Sequence, residues 1–208
     1  MSRARNNLFL AVPAALLAAM VGLVVAGALN GVDQWACDHL TPFAGSPGGP
    51  PTFLESLVPL FHSAWHPAGV AVAQVVTLPG QVILSFLLVG VGAWKLRAPG
   101  WMLAWLSATV VEVVFRRLVT RPALYRDGVH LTGFDASWPS GHALHCTLVA
   151  AVFAAAWPRL RVPLAAWLVA ALALIELVSF HTVTDVAGGV LLALLAAGAL
   201  RKRGDLLL

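Results

Sequence analysis

Two short stretches carry the residue types that could do chemistry. The first is Pro139-Ser140-Gly141-His142, and the second, about forty residues on, is His181-Thr182-Val183-Thr184-Asp185. A helix start offers unpaired backbone N–H groups and the positive end of the helix dipole, and together these favour an anion. Ser140 is a good N-cap residue, Gly141 lets a backbone approach a ligand closely, and Pro139 stiffens the chain before them. His142 then falls in the first helical turn, where it can hold or protonate a phosphate oxygen. On a helix, His181 and Asp185 are spaced i, i+4 and share a face. A carboxylate bonded to one imidazole nitrogen fixes the tautomer and leaves the other nitrogen free to attack. The chemistry these residues suit is phosphoryl transfer, with His181 as nucleophile, Asp185 as its orienter and His142 as general acid. Taken alone, the tetrapeptide is an ordinary helix cap and the His/Asp pair a solvated one. Their position at the ends of apolar runs favours function, because ionisable groups are expensive there.

The elements that must position these residues are membrane spans. The 208-residue chain is 60% hydrophobic and 11% charged, with a mean hydropathy of +0.85, far from soluble composition. A helix needs roughly 20 apolar residues to cross a bilayer. Six runs approach that length, over residues 8–29, 77–96, 101–119, 142–157, 162–180 and 184–200, the fourth being short. They predict one all-α integral membrane domain spanning residues 1–208. The first run is longer in its apolar part than a signal peptide, which favours a retained anchor. With the N-terminus in the cytoplasm, Arg3, Arg5, Lys95, Arg97, Arg159, Arg161, Arg201, Lys202 and Arg203 fall on inner loops. Both termini are then cytoplasmic, and Arg116, Arg117, Arg121 and Arg126 stand together at one outer loop, just before Pro139. The net charge of +4 therefore follows membrane topology. No basic surface with interleaved aromatics points to nucleic acid.

Residues 30–51 read as a Pro/Gly-rich outer loop, and apolar positions between 52 and 65 recur at helical spacing. That suggests an amphipathic helix on the outer leaflet between spans 1 and 2, or a packed re-entrant piece. His62 and His66 lie four apart but have no evident third ligand, so no metal site is expected. Within the third span Glu112 and Arg116 form an i, i+4 pair that lowers the cost of both charges. Arg121 precedes Pro122, which disfavours helix, so the span should end near Thr120. Arg116, Arg117 and Arg121 then crowd one rim. Either a multivalent anion sits among them or they meet anionic lipid headgroups. The segment 123–138, with Arg126, Asp127, His130 and Asp135, is a candidate lid. His145, one turn below His142, is either a supporting partner of His142 or Glu112 or a satisfied core histidine. Glu176 is the second acid within a span, expected to pair with a rim arginine or near His181, or else to contact substrate alcohol or a proton. Cys37 and Cys146 lie at different predicted depths and are not expected to pair.

The rim arginines, Pro139-Ser140-Gly141-His142 and His181-x-x-x-Asp185, in this order, resemble the type 2 phosphatidic acid phosphatase superfamily. The similarity runs from about residue 75 to the end. It implies a six-span helical bundle with its site on the outer face, in an inner (plasma) membrane of bacterial type. It implies no cofactor, a lipid phosphate as substrate, and membrane lipids as the other partners. By the same resemblance His181 forms a phosphohistidine and His142 protonates the leaving oxygen and then activates water. Ser140 and the Gly141 N–H hold phosphoryl oxygens, with Arg116, Arg121, Arg117 and Arg126 neutralising charge, and Glu112, His145 and Glu176 lie behind them. The chain departs from the family in its first block, a Lys, six residues, then Arg-Pro. Aligning Arg121-Pro122 puts Val114 at the Lys position. Aligning Arg116 there puts Ala123-Leu124 at Arg-Pro and keeps a cation near the span's end. In the third block the family's Ser-Arg falls at Leu174-Ile175. The expected function is a membrane phosphatase acting on a lipid phosphate or diphosphate, isoprenoid or phosphatidate-like. The alternatives are a phosphotransferase on the same scaffold and a non-catalytic lipid-phosphate-binding membrane protein.

Overall fold

The computed structural model describes residues 3–39, 67–126, 128–178 and 181–202. Within them the chain is mostly helical. The helices are α1 (Arg3–Val25), α2 (Asn30–His39), α3 (Pro67–Thr77), α4 (Val82–Leu96), α5 (Gly100–Leu118), α6 (Gly141–Ala156), α7 (Arg161–Val178) and α8 (Val183–Lys202). A small antiparallel hairpin, β1 (Tyr125–Arg126) and β2 (Val129–His130), lies between α5 and α6. The expected amphipathic helix over 52–65, with His62 and His66, lies outside the described residues, as do Asp127 and the side chain of Arg126.

Two stretches are long and apolar enough to cross a membrane alone, Pro158–Glu176 and Val183–Leu200. Two pairs qualify only together and are bent, Leu10–Val25 with Asn30–His39 by 80° and Val72–Gly80 with Val82–Leu96 by 59°. α6 is apolar but only 16 residues long, and α5 carries Glu112, Arg116 and Arg117 near its end. The described helices thus hold two to four candidate spans by length and composition, where hydropathy along the sequence suggests six.

The differences have local causes. The run 77–96 is not one helix, because Leu78-Pro79-Gly80 forms a 3₁₀ turn between α3 and α4. Proline lacks the N–H that an uninterrupted helix needs there. Gly80 also lets the turn press onto α6, since a Cβ on it would come within 2.9 Å of the His142 carbonyl oxygen. The first run ends at Val25, short of residue 29, in a turn where Gly27 takes φ 70°. Residues 30–39 are helical rather than loop, because Asp33, Ala36 and Cys37, at i, i+3 and i+4, bury one face.

α6 is the centre of the bundle. It packs against α4, α7 and α8, while α1 packs along α8. Ten of its sixteen residues are buried, which suits a helix apolar all round. Val89, Ala93, Trp105, Leu144, Leu148, Val152 and Leu192 form the core around it. Small residues allow close approach. A Cβ on Gly92 would lie 2.7 Å from Val152 Cγ2, and one on Gly188 would lie 2.8 Å from the Trp138 ring. At Gly189 the obstacle is backbone, the Ser140 carbonyl and the Leu144 N–H. Gly189→Ala should therefore cost about 2 kcal/mol or more, because backbone cannot step aside as a side chain can. A fall in the thermal unfolding midpoint in detergent, larger than for Gly22→Ala, where the space is open, checks this.

Candidate active site

α6 begins as its sequence dictates. Ser140 is the N-cap in extended conformation, and its hydroxyl accepts from the Ala143 N–H at 3.3 Å. The N–H groups of the first turn have no acceptor within the helix. α8 begins with a reciprocal cap that the sequence reading overlooks. The Thr182 N–H donates to Asp185 Oδ2 at 2.9 Å, and the Asp185 N–H points back at Thr182 Oγ1 at 3.5 Å. This is a capping box, written in the sequence as Thr182-x-x-Asp185. His181 therefore sits just before α8 and not on it, which corrects the expectation that His181 and Asp185 share a helical face.

The two helix starts are joined directly. The Ser140 N–H donates to the Asp185 carbonyl at 2.9 Å, and Trp138 Nε1–H donates to the Thr184 carbonyl at 3.1 Å. The His142 and His181 rings come to 6.3 Å between centroids, tilted by 58°. His142 is half-buried and His181 buried. His181 Nδ1 stands 3.6 Å from Asp185 Oδ2, just beyond hydrogen-bond length, and has no other hydrogen-bond partner among the described residues.

Asp185 is fully enclosed and heavily engaged. Its Oδ2 accepts from Ser137 Oγ at 2.6 Å and from the Thr182 N–H, and its Oδ1 accepts from Arg121 Nη1 at 2.8 Å. Arg121 does not stand on an open rim. Its side chain is 2% exposed, and its second nitrogen, Nη2, is paired with Asp33. Arg121 Nη1 also reaches Thr182 Oγ1 at 3.2 Å and Ser137 Oγ at 3.4 Å. Asp33 in turn accepts from Thr184 Oγ1 at 2.6 Å and the Thr184 N–H at 3.2 Å. The crowding of arginines thus has a second explanation for Arg121: two buried carboxylates rather than an anion from outside. Asp33, Ser137, Thr182 and Thr184 were all missed by sequence reasoning. Only the capping pattern of Thr182 was visible, since Asp33 is 88 residues from Arg121.

Arg116 is the arginine that reaches the helix start. It pairs with Glu112 one turn earlier, as expected, with side-chain exposures of 35% and 8%. Both lie against Gly141, where a Cβ would meet Glu112 Oε1 at 3.0 Å and Arg116 Nη2 at 3.6 Å. Glu112 is within electrostatic reach of His181, and Arg116 of His142. Arg117 is exposed. Glu176, buried on α7, is an electrostatic neighbour of Arg121, Asp33 and Asp185. The hydrogen bonds of His145 run away from His142 and Glu112. Its Nδ1 donates to the Gly80 carbonyl at 3.1 Å, its Nε2 lies 3.1 Å from Thr109 Oγ1, and the ring stacks on Trp105. The segment expected as a lid packs on α2. Gln34 Oε1 accepts from the Tyr125 N–H at 2.9 Å, and Leu124, Leu131 and Phe134 cluster with Cys37. Cys37 and Cys146 are both free and buried.

No protein-family model matches the chain, and no curated protein or solved structure matches it either.

Proposed function

We propose that this chain is an integral membrane phosphohydrolase of the type 2 phosphatidic acid phosphatase kind. In this reading it breaks a phosphoester or phosphoanhydride bond of a lipid through a phosphohistidine on His181. The six spans would be the two apolar helices α7 and α8, the two bent pairs, α5 and α6. The charge pattern supports both ends in the cytoplasm and the site at the outer face. The observation that carries the reading is the Ser140 N–H bond to the Asp185 carbonyl at 2.9 Å. It brings a helix start with free N–H groups, His142 and His181 together from two distant stretches, with Asp185 Oδ2 3.6 Å from the buried Nδ1 of His181.

The geometry supports the following chemistry. Nδ1 of His181 faces Asp185, so a proton held there leaves Nε2 as the attacking atom. The 3.6 Å gap is compatible with that role, since catalytic hydrogen bonds are often long before substrate arrives. Nε2 attacks phosphorus, the bond to the leaving oxygen breaks, and His142 gives that oxygen a proton. His142 then takes a proton from water, the water oxygen attacks phosphorus, and the P–N bond breaks. The Gly141 and His142 N–H groups and Arg116 stabilise the charge on the phosphoryl oxygens.

Rapid acid-free quenching of the purified protein with ³²P-labelled lipid phosphoesters tests this. The expected result is a protein-bound label that is stable in base, labile in acid and mapped to the peptide containing His181. A label on another residue, or turnover with no label under single-turnover conditions, would sink the proposal.

A further inference from the structure

The charges around the site point to a particular substrate class, and this inference rests on the phosphohistidine reading above. A site for phosphate monoesters or diphosphates needs surplus positive charge. Here Arg121 is sealed between Asp33 and Asp185, and those three groups together carry one net negative charge. Arg116 reaches the start of α6 but arrives already paired with Glu112. Glu112 is 8% exposed, and its carboxylate stands beside Gly141, with Oε1 3.0 Å from where a Cβ on that residue would lie, at the helix start an incoming phosphate must use. These five groups together carry one net negative charge before substrate binds. The helix start and Arg116 suit one negative charge. A second on the same phosphorus faces Glu112.

We infer that Glu112 makes the site select a singly charged lipid phosphodiester over dianionic monoesters and more highly charged diphosphates. A diester carries one charge on two non-bridging oxygens and meets the α6 start and Arg116 with the least repulsion. Nε2 of His181 attacks its phosphorus, the bond to one ester oxygen breaks, and that oxygen leaves as an alcohol with the proton from His142. Water, deprotonated by His142, then displaces the imidazole. The products are an alcohol and a phosphomonoester. The monoester loses its second proton at about pH 6, so near neutrality it is the dianion that Glu112 disfavours. The reaction then stops at the monoester and releases no inorganic phosphate.

The test uses the full chain in detergent or nanodiscs with three probes: dioleoyl phosphatidylglycerol, dioleoyl phosphatidate and a prenyl diphosphate. Both cleavage products of the diester are followed, with the His181 label as a separate readout. Wild type should show a kcat/KM for phosphatidylglycerol about tenfold or more above that for phosphatidate, and Glu112→Gln should shift that ratio toward phosphatidate by about tenfold. Preference of wild type for phosphatidate or the diphosphate overturns the inference, as does a ratio unmoved by Glu112→Gln. If Glu112→Gln fails to fold, the wild-type preference alone decides. A His181 label with monoester preference would overturn the inference while keeping the phosphohistidine. No label and no turnover on any probe would remove both.

Discussion

His181→Ala is expected to remove measurable turnover while leaving the folded protein nearly as stable as before. Loss of a nucleophile that no neighbour replaces costs about 10⁴-fold or more. His142 is the nearest imidazole, but it sits in the first turn of α6 with its ring centroid 6.3 Å from that of His181. It cannot attack and protonate the leaving group in one step. The modest effect on stability follows from what His181 does not do. It lies before α8 rather than in it, and its Nδ1 makes no hydrogen bond among the described residues. The helix start is held instead by Thr182 and Asp185. Phospholipid turnover and the thermal unfolding midpoint, measured on the same preparation, check the two halves. An activity loss below tenfold would remove His181 from the mechanism, and a large drop in midpoint would make it structural.

The second large effect is expected at Arg121, with stability as the readout. Arg121→Met removes the cation shared by Asp33 and Asp185, whose side chains are 2% and 0% exposed. Breaking a buried ion pair on one side destabilises by about 3–5 kcal/mol, because it strands an uncompensated charge. Two stranded carboxylates place this variant at the upper end of that range. Asp33→Asn added to Arg121→Met should recover part of the loss, since one of the stranded charges is gone. The same substitution in wild type should destabilise. This sign reversal, read from unfolding midpoints, is the signature of direct coupling. Additive effects would mean that the pair does not couple as the geometry requires. The clamp also explains how a site on α6 and α8 depends on α2. Asp33 holds Arg121 and Thr184 together, so α2 sets where Asp185 stands behind His181.

Much of this was legible in the residues themselves. Apolar run lengths located α5 to α8 to within a few residues, because helix ends there are set locally, by Ser140 at α6 and by Arg121-Pro122 after α5. The pairing of Glu112 with Arg116 was equally local, one turn apart on a single helix. The capping box at Thr182 was present in the sequence but hidden by the stronger expectation that Asp185 serves His181. Other features belong to tertiary structure alone. Hydropathy averages over a window and is blind to a single Pro-Gly turn, so the break at Leu78–Gly80 was missed. The helical face of Asp33, Ala36 and Cys37 is short, and its partners Thr184 and Leu124 lie far along the chain. No local rule assigns Arg121 to two distant carboxylates rather than to an anion from outside. That choice is made by burial: where α2, the loop after α5 and the start of α8 converge, water is excluded. A lone charge there must find protein partners, and Asp33 and Asp185 are the ones within reach.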